Sequence, residues 1–496
     1  MNQAIRSALG RVRASAPVVV FLFLIPVAAL FASMLLNNNG ELVYTLDDPY
    51  IHIKLAKNIF AGHYGINADE YSAPSSSILW PFLLAPFAAL GDAAVEYAPL
   101  LLNLAFSLGT LLILDDLLRD VGHRFRIVIL GGCLLATNFY GLIFSGMEHS
   151  LQILLVALIA RGVIGREFQG RAPTFSLYLA LLVLPLVRYE GLAVSVPTLV
   201  YLVLKGEGAK PVVVGALLAL AVALFSLFLR HLGLGYLPSS VLLKLDTHGV
   251  SSVVFNAVEQ FKKYGWLVLA VLLLCAYLHR RRALALLLLS ATFLHLFFGR
   301  MGGRYEIYWL TFVGIFFVYV AVSRLDGRRA AVAFGLLPVA FAGLVYATLS
   351  TPFASAAIHS QQYATADIVR RLDEPVAVND LGLVSLRSQR YVLDLWGLGS
   401  LEALRLRQSG TGADWIGRLM AAKGVRYAFV YDAWFPQRPA DWIKVAELRL
   451  TIPRVSAASD TVALYATDAV AAGKLQGVLQ RYRQDNPERK FRIHWY

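Results

Sequence analysis

Charge is scarce in this chain. Only 16 % of its 496 residues are Asp, Glu, Lys or Arg, against about a quarter in soluble domains. The apolar share is 58 % and mean hydropathy is +0.61. Because the apolar residues gather in uncharged runs such as 17–36, 211–229 and 330–358, near the ~20 residues that cross a bilayer as a helix, a soluble enzyme is excluded. Cysteine is nearly absent: Cys133 and Cys275 both sit inside apolar runs, which leaves no basis for a disulfide framework or a cysteine metal site. No P-loop or Rossmann fingerprint stands in a strand–turn–helix context, and heptads, internal repeats and low-complexity tracts are also missing.

What charge there is has an order. The 45 Lys+Arg outnumber the 32 Asp+Glu by 13, an excess that in a soluble protein would raise the question of nucleic acid. Here the basic residues fall in short loops between apolar runs, as the positive-inside rule requires. Spans are predicted at 17–36, 98–118, 126–142, 149–162, 174–188, 190–204, 211–230, 264–278, 283–298, 306–323 and 330–352. With Arg6, Arg11 and Arg13 ahead of the first run, the N-terminus is predicted to be cytoplasmic, and that run to be an uncleaved anchor rather than a signal peptide. The loops then assigned to the cytoplasm carry 17 Lys+Arg in 52 residues, against 9 in 93 for the outer loops. The run 78–91 would reverse this parity as a full crossing, so it is read as a re-entrant or interfacial helix. A hairpin is expected around Arg188 to Glu190.

Residues 1–354 thus read as a mainly α, polytopic helical membrane domain with about 11 spans, whose outer loop 37–77 is long and polar. Residues 355–496 read as a small C-terminal α/β domain on the outer side. There the charges return, 19 Lys+Arg and 14 Asp+Glu from 359 onward. Short β-rich runs occur at 376–380, 391–395, 427–431 and 462–467, and helical patterns at 414–423 and 469–484. Trp396, Trp415 and Trp434 are either sugar-stacking residues or core aromatics.

The candidate chemistry begins about ten residues beyond the first span. Asp47 and Asp48 precede Pro49, and a helical stretch then carries His52, Lys54 and Lys57. Adjacent carboxylates at a membrane boundary can act as a general base or hold a hard cation; they can equally be a solvated loop with a helix cap. Elsewhere Glu148 and His149 interrupt an uncharged stretch, Arg188 and Glu190 lie between two apolar halves, and Arg300, Arg304 and Glu306 begin another span. A charge inside a membrane costs a few kcal/mol or more unless it is paired or lines a cavity, which makes each a functional candidate. Under the predicted topology these residues and Lys244 all reach the outer side. A cavity holding carboxylates and cations together suits a substrate that is part lipid and part anion: cations hold phosphate, a carboxylate takes a proton from an acceptor hydroxyl, and apolar walls hold the lipid.

The same residues resemble the GT-C class of polyprenyl-phosphate-dependent glycosyltransferases, and within it the terminal arabinofuranosyltransferase branch of bacterial envelope enzymes. The first outer loop is similar to a DDxYIxxRYAxNLxxGxG pattern at Asp47, Asp48, Tyr50, Ile51, Ala56, Asn58, Gly62 and Gly65, with Lys54 where the pattern has Arg; Ser77, Leu79 and Trp80 match the segment that follows. SGMEHSL from Ser145, RYEG from Arg188 and YLPSSVLLKL from Tyr236 resemble SGLETxL, RPEG and LPNTxxxK, in the same order. His149, Tyr189, Ser239 and Ser240 depart from the patterns while the charged positions stay. The segment VAVNDLGLVSLRSQRYVLDLWGL resembles the outer domain of that branch.

The resemblance implies a GT-C fold with its active site at the outer membrane face of a bacterial inner membrane. It implies Asp47 as the leading catalytic carboxylate, with Asp48 orienting substrate or sharing the role. Lys244, Arg304 and Arg188 would hold donor phosphate. Glu148, Glu190, His149, His52, Trp80 and Glu306 would contact the sugar or acceptor. The implied donor is decaprenyl-phosphate arabinofuranose and the acceptor a hydroxyl of an envelope glycan or protein. The resemblance fixes no cofactor, and a divalent cation on Asp47 and Asp48 is left open. The rival readings are a mannosyl- or other hexosyl-transferase on the same scaffold, a lipid-linked sugar transporter, and a scaffold whose outer domain binds glycan.

Overall fold

The computed structural model describes residues 16–245, 250–300, 302–409, 414–486 and 490–496. Arg6, Arg11 and Arg13 lie outside the described residues, as does the side chain of Lys244. Helix dominates. Among the described residues, three helices are long and apolar enough to cross a membrane: Pro17–Asn37, Asp92–Leu117 and Lys210–His231. Gly327–Ala340 and Ala342–Leu349 form a pair bent by 70° that passes the same test together. Others of the eleven expected crossings are shorter apolar helices, among them Phe175–Val187, Tyr189–Leu204, Arg282–Phe298 and Ile307–Val322.

Polar residues shorten them. Helix Phe175–Val187 stops where Arg188 turns extended, and a 3-10 turn at Tyr189–Gly191 makes the expected hairpin. The run expected at 126–142 breaks into His123–Ala136 and Phe139–Ile143 around Asn138, which takes the left-handed conformation that asparagine tolerates. Its side chain secures the break, donating to Gly303 O at 3.0 Å and accepting from the Thr348 hydroxyl at 2.9 Å. The span at 264–278 is the second half of Val250–Tyr277, kinked at Tyr264. Residues 80–90 form a five-residue helix continued as a 3-10 turn.

Ion pairs mark both ends of one long helix of the bundle. Helix His149–Phe168 has 20 residues, about 30 Å at ~1.5 Å each. At its start Glu148 meets Arg188 at 2.6 Å; near its end Glu167 meets Lys205 at 2.7 Å and Arg281 at 3.0 Å. The helices expose large apolar side chains, among them Phe21, Phe175, Leu217 and Leu224.

The composition change near 354 does not coincide with a break in the chain. Helix Thr351–Ile358 passes through a π turn, His359–Tyr363, into helix Ala364–Leu372. Beyond it lies a mixed six-stranded sheet of β1 (Val376–Val378), β2 (Val392–Asp394), β3 (Tyr427–Val430), β4 (Ile443–Leu450), β5 (Thr461–Ala466) and β6 (Phe491–Trp495), in the order β2-β1-β3-β5-β4-β6. β1 pairs in parallel with β2 and β3, and the remaining pairs are antiparallel. β4 and β6 are absent from the sequence expectation. β4 reads IKVAELRL, rich in helix formers, and only its cross-strand partners make it a strand.

One apolar core joins the first outer loop to this sheet. Tyr44, Tyr50, Ile53 and Trp80 pack with Val376, Leu383, Val384 and Phe429. In the membrane part, helix His123–Ala136 meets helix Gly327–Gly335 so closely that a Cβ on Gly132 would lie 2.0 Å from Phe334 O, whereas one on Gly131 would meet nothing within 4 Å. Gly132→Ala is therefore expected to destabilise the protein by roughly 1–3 kcal/mol and Gly131→Ala to be neutral or stabilising, read as thermal midpoints of the detergent-purified chain.

Candidate active site

The acidic pair sits at the start of helix Asp48–Phe60, with Pro49 pre-set for the first turn. The two carboxylates face different partners. Asp47 turns toward the sheet domain, where Oδ2 accepts from Gly382 N at 2.6 Å and Oδ1 from Leu383 N at 2.9 Å. The approach requires glycine, because a Cβ on Gly382 would lie 2.1 Å from Asp47 O. Asp380 is close by, held by Gln362 at 2.8 Å and by the Tyr431 hydroxyl. Burial, then the charge of Asp380, pushes the Asp47 carboxyl up to about 8, and burial likewise raises Asp380.

Asp48 points the other way. Its Oδ2 lies 2.9 Å from Arg304, which also donates to the Tyr305 hydroxyl at 2.7 Å. The Tyr305 ring has Arg304 at 4.7 Å from its centroid and Arg188 at 5.2 Å. Arg188, 2 % exposed, bridges Glu148 at 2.6 Å and Glu190 at 3.0 Å. A guanidinium buried this deeply needs such partners, since an unpaired charge would cost several kcal/mol.

These elements enclose a cavity of about 540 Å³ whose polar wall includes Asp48, His52, Arg188, Arg300, Tyr305 and Ser240. Its apolar side includes Ile51, Met147 and Leu243. The sheet domain closes it with Trp396, Leu398, Arg407 and Gln408. Ser240 is fixed by donating to Ser75 O at 2.9 Å, and Ser75 meets His52 Nδ1 at 3.1 Å. Burial holds His52 below the usual histidine range, hence neutral. Trp396 carries Arg407 at 3.9 Å over its ring and packs on Trp434 at 4.4 Å. Its turn is set by Asp394, which accepts from Trp396 N and Gly399 N, both at 2.8 Å.

The expected site residues divide accordingly. Asp48, His52 and Arg188 line the cavity. Arg304 stands behind Tyr305, bound to Asp48. Asp47 faces the sheet domain rather than the cavity. Glu148 is fully buried and Glu190 partly buried, and both bind Arg188. His149 is buried with its ring against Tyr305 at 6.0 Å. Trp80 is fully buried in the shared core. Glu306 is also fully buried, accepting from Gly302 N, Gly303 N and the Tyr264 hydroxyl, so it shapes the loop that carries Arg304. Lys244 lies in helix Ser239–Leu245. Of the tryptophans, Trp396 reaches the cavity, Trp434 supports it and Trp415 is buried. Tyr305 and Arg407 had no motif to mark them; Arg300 was visible only as a charge at the start of a span.

The acidic pair does not form a cation site. Both Asp47 oxygens accept backbone N–H groups, and Asp48 is paired with Arg304. Among the described residues no group of three or more His, Cys, Asp or Glu is placed to hold a metal ion. No step below runs through one.

With this geometry in view, comparison with known proteins is informative about the fold. The chain is similar to ArnT from Cupriavidus metallidurans, whose crystal structure is bound to undecaprenyl phosphate, with a TM-score of 0.55 at 14 % identity over 93 % of this chain and 100 % of that one. Its fold is thus of the GT-C kind. The apo oligosaccharyltransferase of Archaeoglobus fulgidus is also similar, with a TM-score of 0.46 at 11 % identity over 93 % of this chain and 78 % of that one. Residues 356–465 match a family described as a domain of unknown function, DUF8728. No curated protein matches the chain in sequence.

Two outcomes follow from the Asp47 contact. Gly382→Ala is expected to lower stability by roughly 1–3 kcal/mol, measured as a fall in thermal midpoint. The folded state also keeps a proton on Asp47 that the unfolded chain loses near its ordinary value of 3.8. The contribution of this group to stability is therefore fully present below 3.8 and is lost as pH rises through about 8. Melting curves from pH 5 to 9 are expected to show this decline and Asp47→Asn to flatten it.

Proposed function

We propose that this chain is a membrane glycosyltransferase that moves a sugar from a polyprenyl-phosphate donor onto a hydroxyl of a cell-envelope glycan or protein. The reaction takes place at the periplasmic side of a bacterial inner membrane, with the N-terminus cytoplasmic and the sheet domain outside. The observation that carries this reading is a single cavity in which a carboxylate, Asp48, shares the wall with Arg188 and Arg300, while an aromatic face, Trp396, closes it from the sheet domain. ArnT, which has the same kind of fold, is bound to undecaprenyl phosphate, and this supports a lipid phosphate as the partner.

The chemistry is economical. Arg188 and Arg300 neutralise the donor phosphate as the bond from the sugar's anomeric carbon to phosphate oxygen breaks. Asp48 takes the acceptor proton as the new bond from that carbon to the acceptor oxygen forms. The lipid phosphate leaves with its electron pair. Arg304 holds Asp48 in place, and Lys244 is the third phosphate contact on the strength of its motif. Glu148 and Glu190 are positioning residues that act through Arg188. Asp47 orients the whole site by holding the sheet domain.

The motifs from Asp47 to Leu245 favour arabinofuranose as the sugar and decaprenyl-phosphate arabinofuranose as the donor. The second reading, a mannosyl- or other hexosyl-transferase, uses the same residues and differs only in which sugar fits beside Trp396. Incubation with a panel of synthetic polyprenyl-phosphate sugars separates them by which donor is consumed; movement of an unaltered substrate across liposomes would instead indicate a transporter. Asp48→Asn is expected to reduce transfer by about 10²–10⁴-fold with membrane insertion intact. Full activity in that variant would remove the mechanism.

A further inference from the structure

Two adjoining cavities lie away from the transfer site. The first, of about 310 Å³, is apolar, with Leu114, Cys133, Trp266 and Phe341 in its wall. It follows helix Ile307–Val322 from Leu310 to Ala321, about 16 Å at ~1.5 Å per residue. That is about half of a ~30 Å hydrocarbon core, the depth of one leaflet. The second, of about 210 Å³, is polar and carries Arg119, Arg161 and Arg171. The two share Leu117 and Tyr319 as a common wall, whereas the apolar cavity shares no lining residue with the transfer cavity.

We propose that these cavities form a binding site for one anionic phospholipid of the leaflet opposite the transfer site. An acyl chain occupies the apolar cavity and the headgroup phosphate rests on Arg161 and Arg171. The charges favour an anion. Asp116 is held by Arg161 at 3.0 Å and Asp120 lies 3.7 Å from Arg119. Arg171 makes no ion pair among the described residues, so the polar cavity keeps a net positive charge. Guanidinium groups bind phosphate through paired N–H donors, and basic pockets between membrane helices on the cytoplasmic side take anionic headgroups. The apolar cavity offers almost no polar partners to hold water, and it has room. A Cβ on Gly314, in its wall, would meet no atom within 4 Å.

The test is native mass spectrometry of the full chain released from bilayers of equal parts phosphatidylcholine and phosphatidylglycerol. One phosphatidylglycerol is expected to remain bound, in preference to phosphatidylcholine by about tenfold. Arg161→Gln with Arg171→Gln is expected to bring that preference to parity. Gly314→Leu, which fills the cavity, is expected to abolish retention of either lipid. The arginines are exposed, so the double variant tests the headgroup contact even where the cavity variant fails to fold. Equal retention of the two lipids by the unmodified protein, or no retained lipid, overturns the proposal. So does one-for-one displacement by undecaprenyl phosphate, which would assign the cavity to the donor's own tail.

Discussion

The contact on which the site depends is the grip of the Asp47 carboxyl group on the backbone N–H groups of Gly382 and Leu383. It joins two parts of the chain more than 330 residues apart, one leaving the first membrane helix and the other beginning a short helix of the sheet domain. Hydrogen bonds between an acidic side chain and backbone N–H groups, made away from water, are strong and directional. Together with the shared apolar core, this pair holds the sheet domain where Trp396, Leu398 and Arg407 meet the cavity. The adjacent residue, Asp48, is left facing inward. Two neighbouring acidic side chains thus face opposite ways, one to the sheet domain and one to the cavity.

A second constraint operates one layer back. Arg188 can line the cavity only because Glu148 and Glu190 neutralise it from behind. Removing either would leave charge stranded in low dielectric rather than simply remove a substrate contact. Tyr305 continues the arrangement, with both the Arg188 and the Arg304 guanidinium against its ring. The basic wall of the cavity is therefore a supported structure, whose backing lies out of the substrate's reach.

Much of this was legible in the sequence, and the failures have physical causes. Asp47, Asp48, Arg188 and Arg304 stood out because a charge near a membrane span is costly and must have a reason. Sequence alone could not separate a carboxylate that lines a cavity from one that stabilises an arginine behind it, so Glu148, Glu190 and Glu306 drew the same notice as Asp48. Trp80 was noticed through its motif, yet that motif serves the core. Hydropathy located the apolar helices and the hairpin at Arg188, but it reads composition and did not see the break at Asn138. β1, β2, β3 and β5 were visible as β-branched runs; β4 was hidden by its Ala, Glu and Leu. Tyr305 and Arg407 became visible only when distant loops met.

The chain leaves the bent pair of apolar helices and enters the sheet domain through a helical rod, Thr351 to Leu372, interrupted by one π turn but no loop. A rod transmits tilt where a flexible connection would absorb it. Membrane helices respond to bilayer thickness by tilting, so a thinner or thicker lipid environment would lean the sheet domain against the Asp47 clasp. A change of tilt at one end of that rod would therefore reach the wall that Trp396 and Arg407 give the cavity.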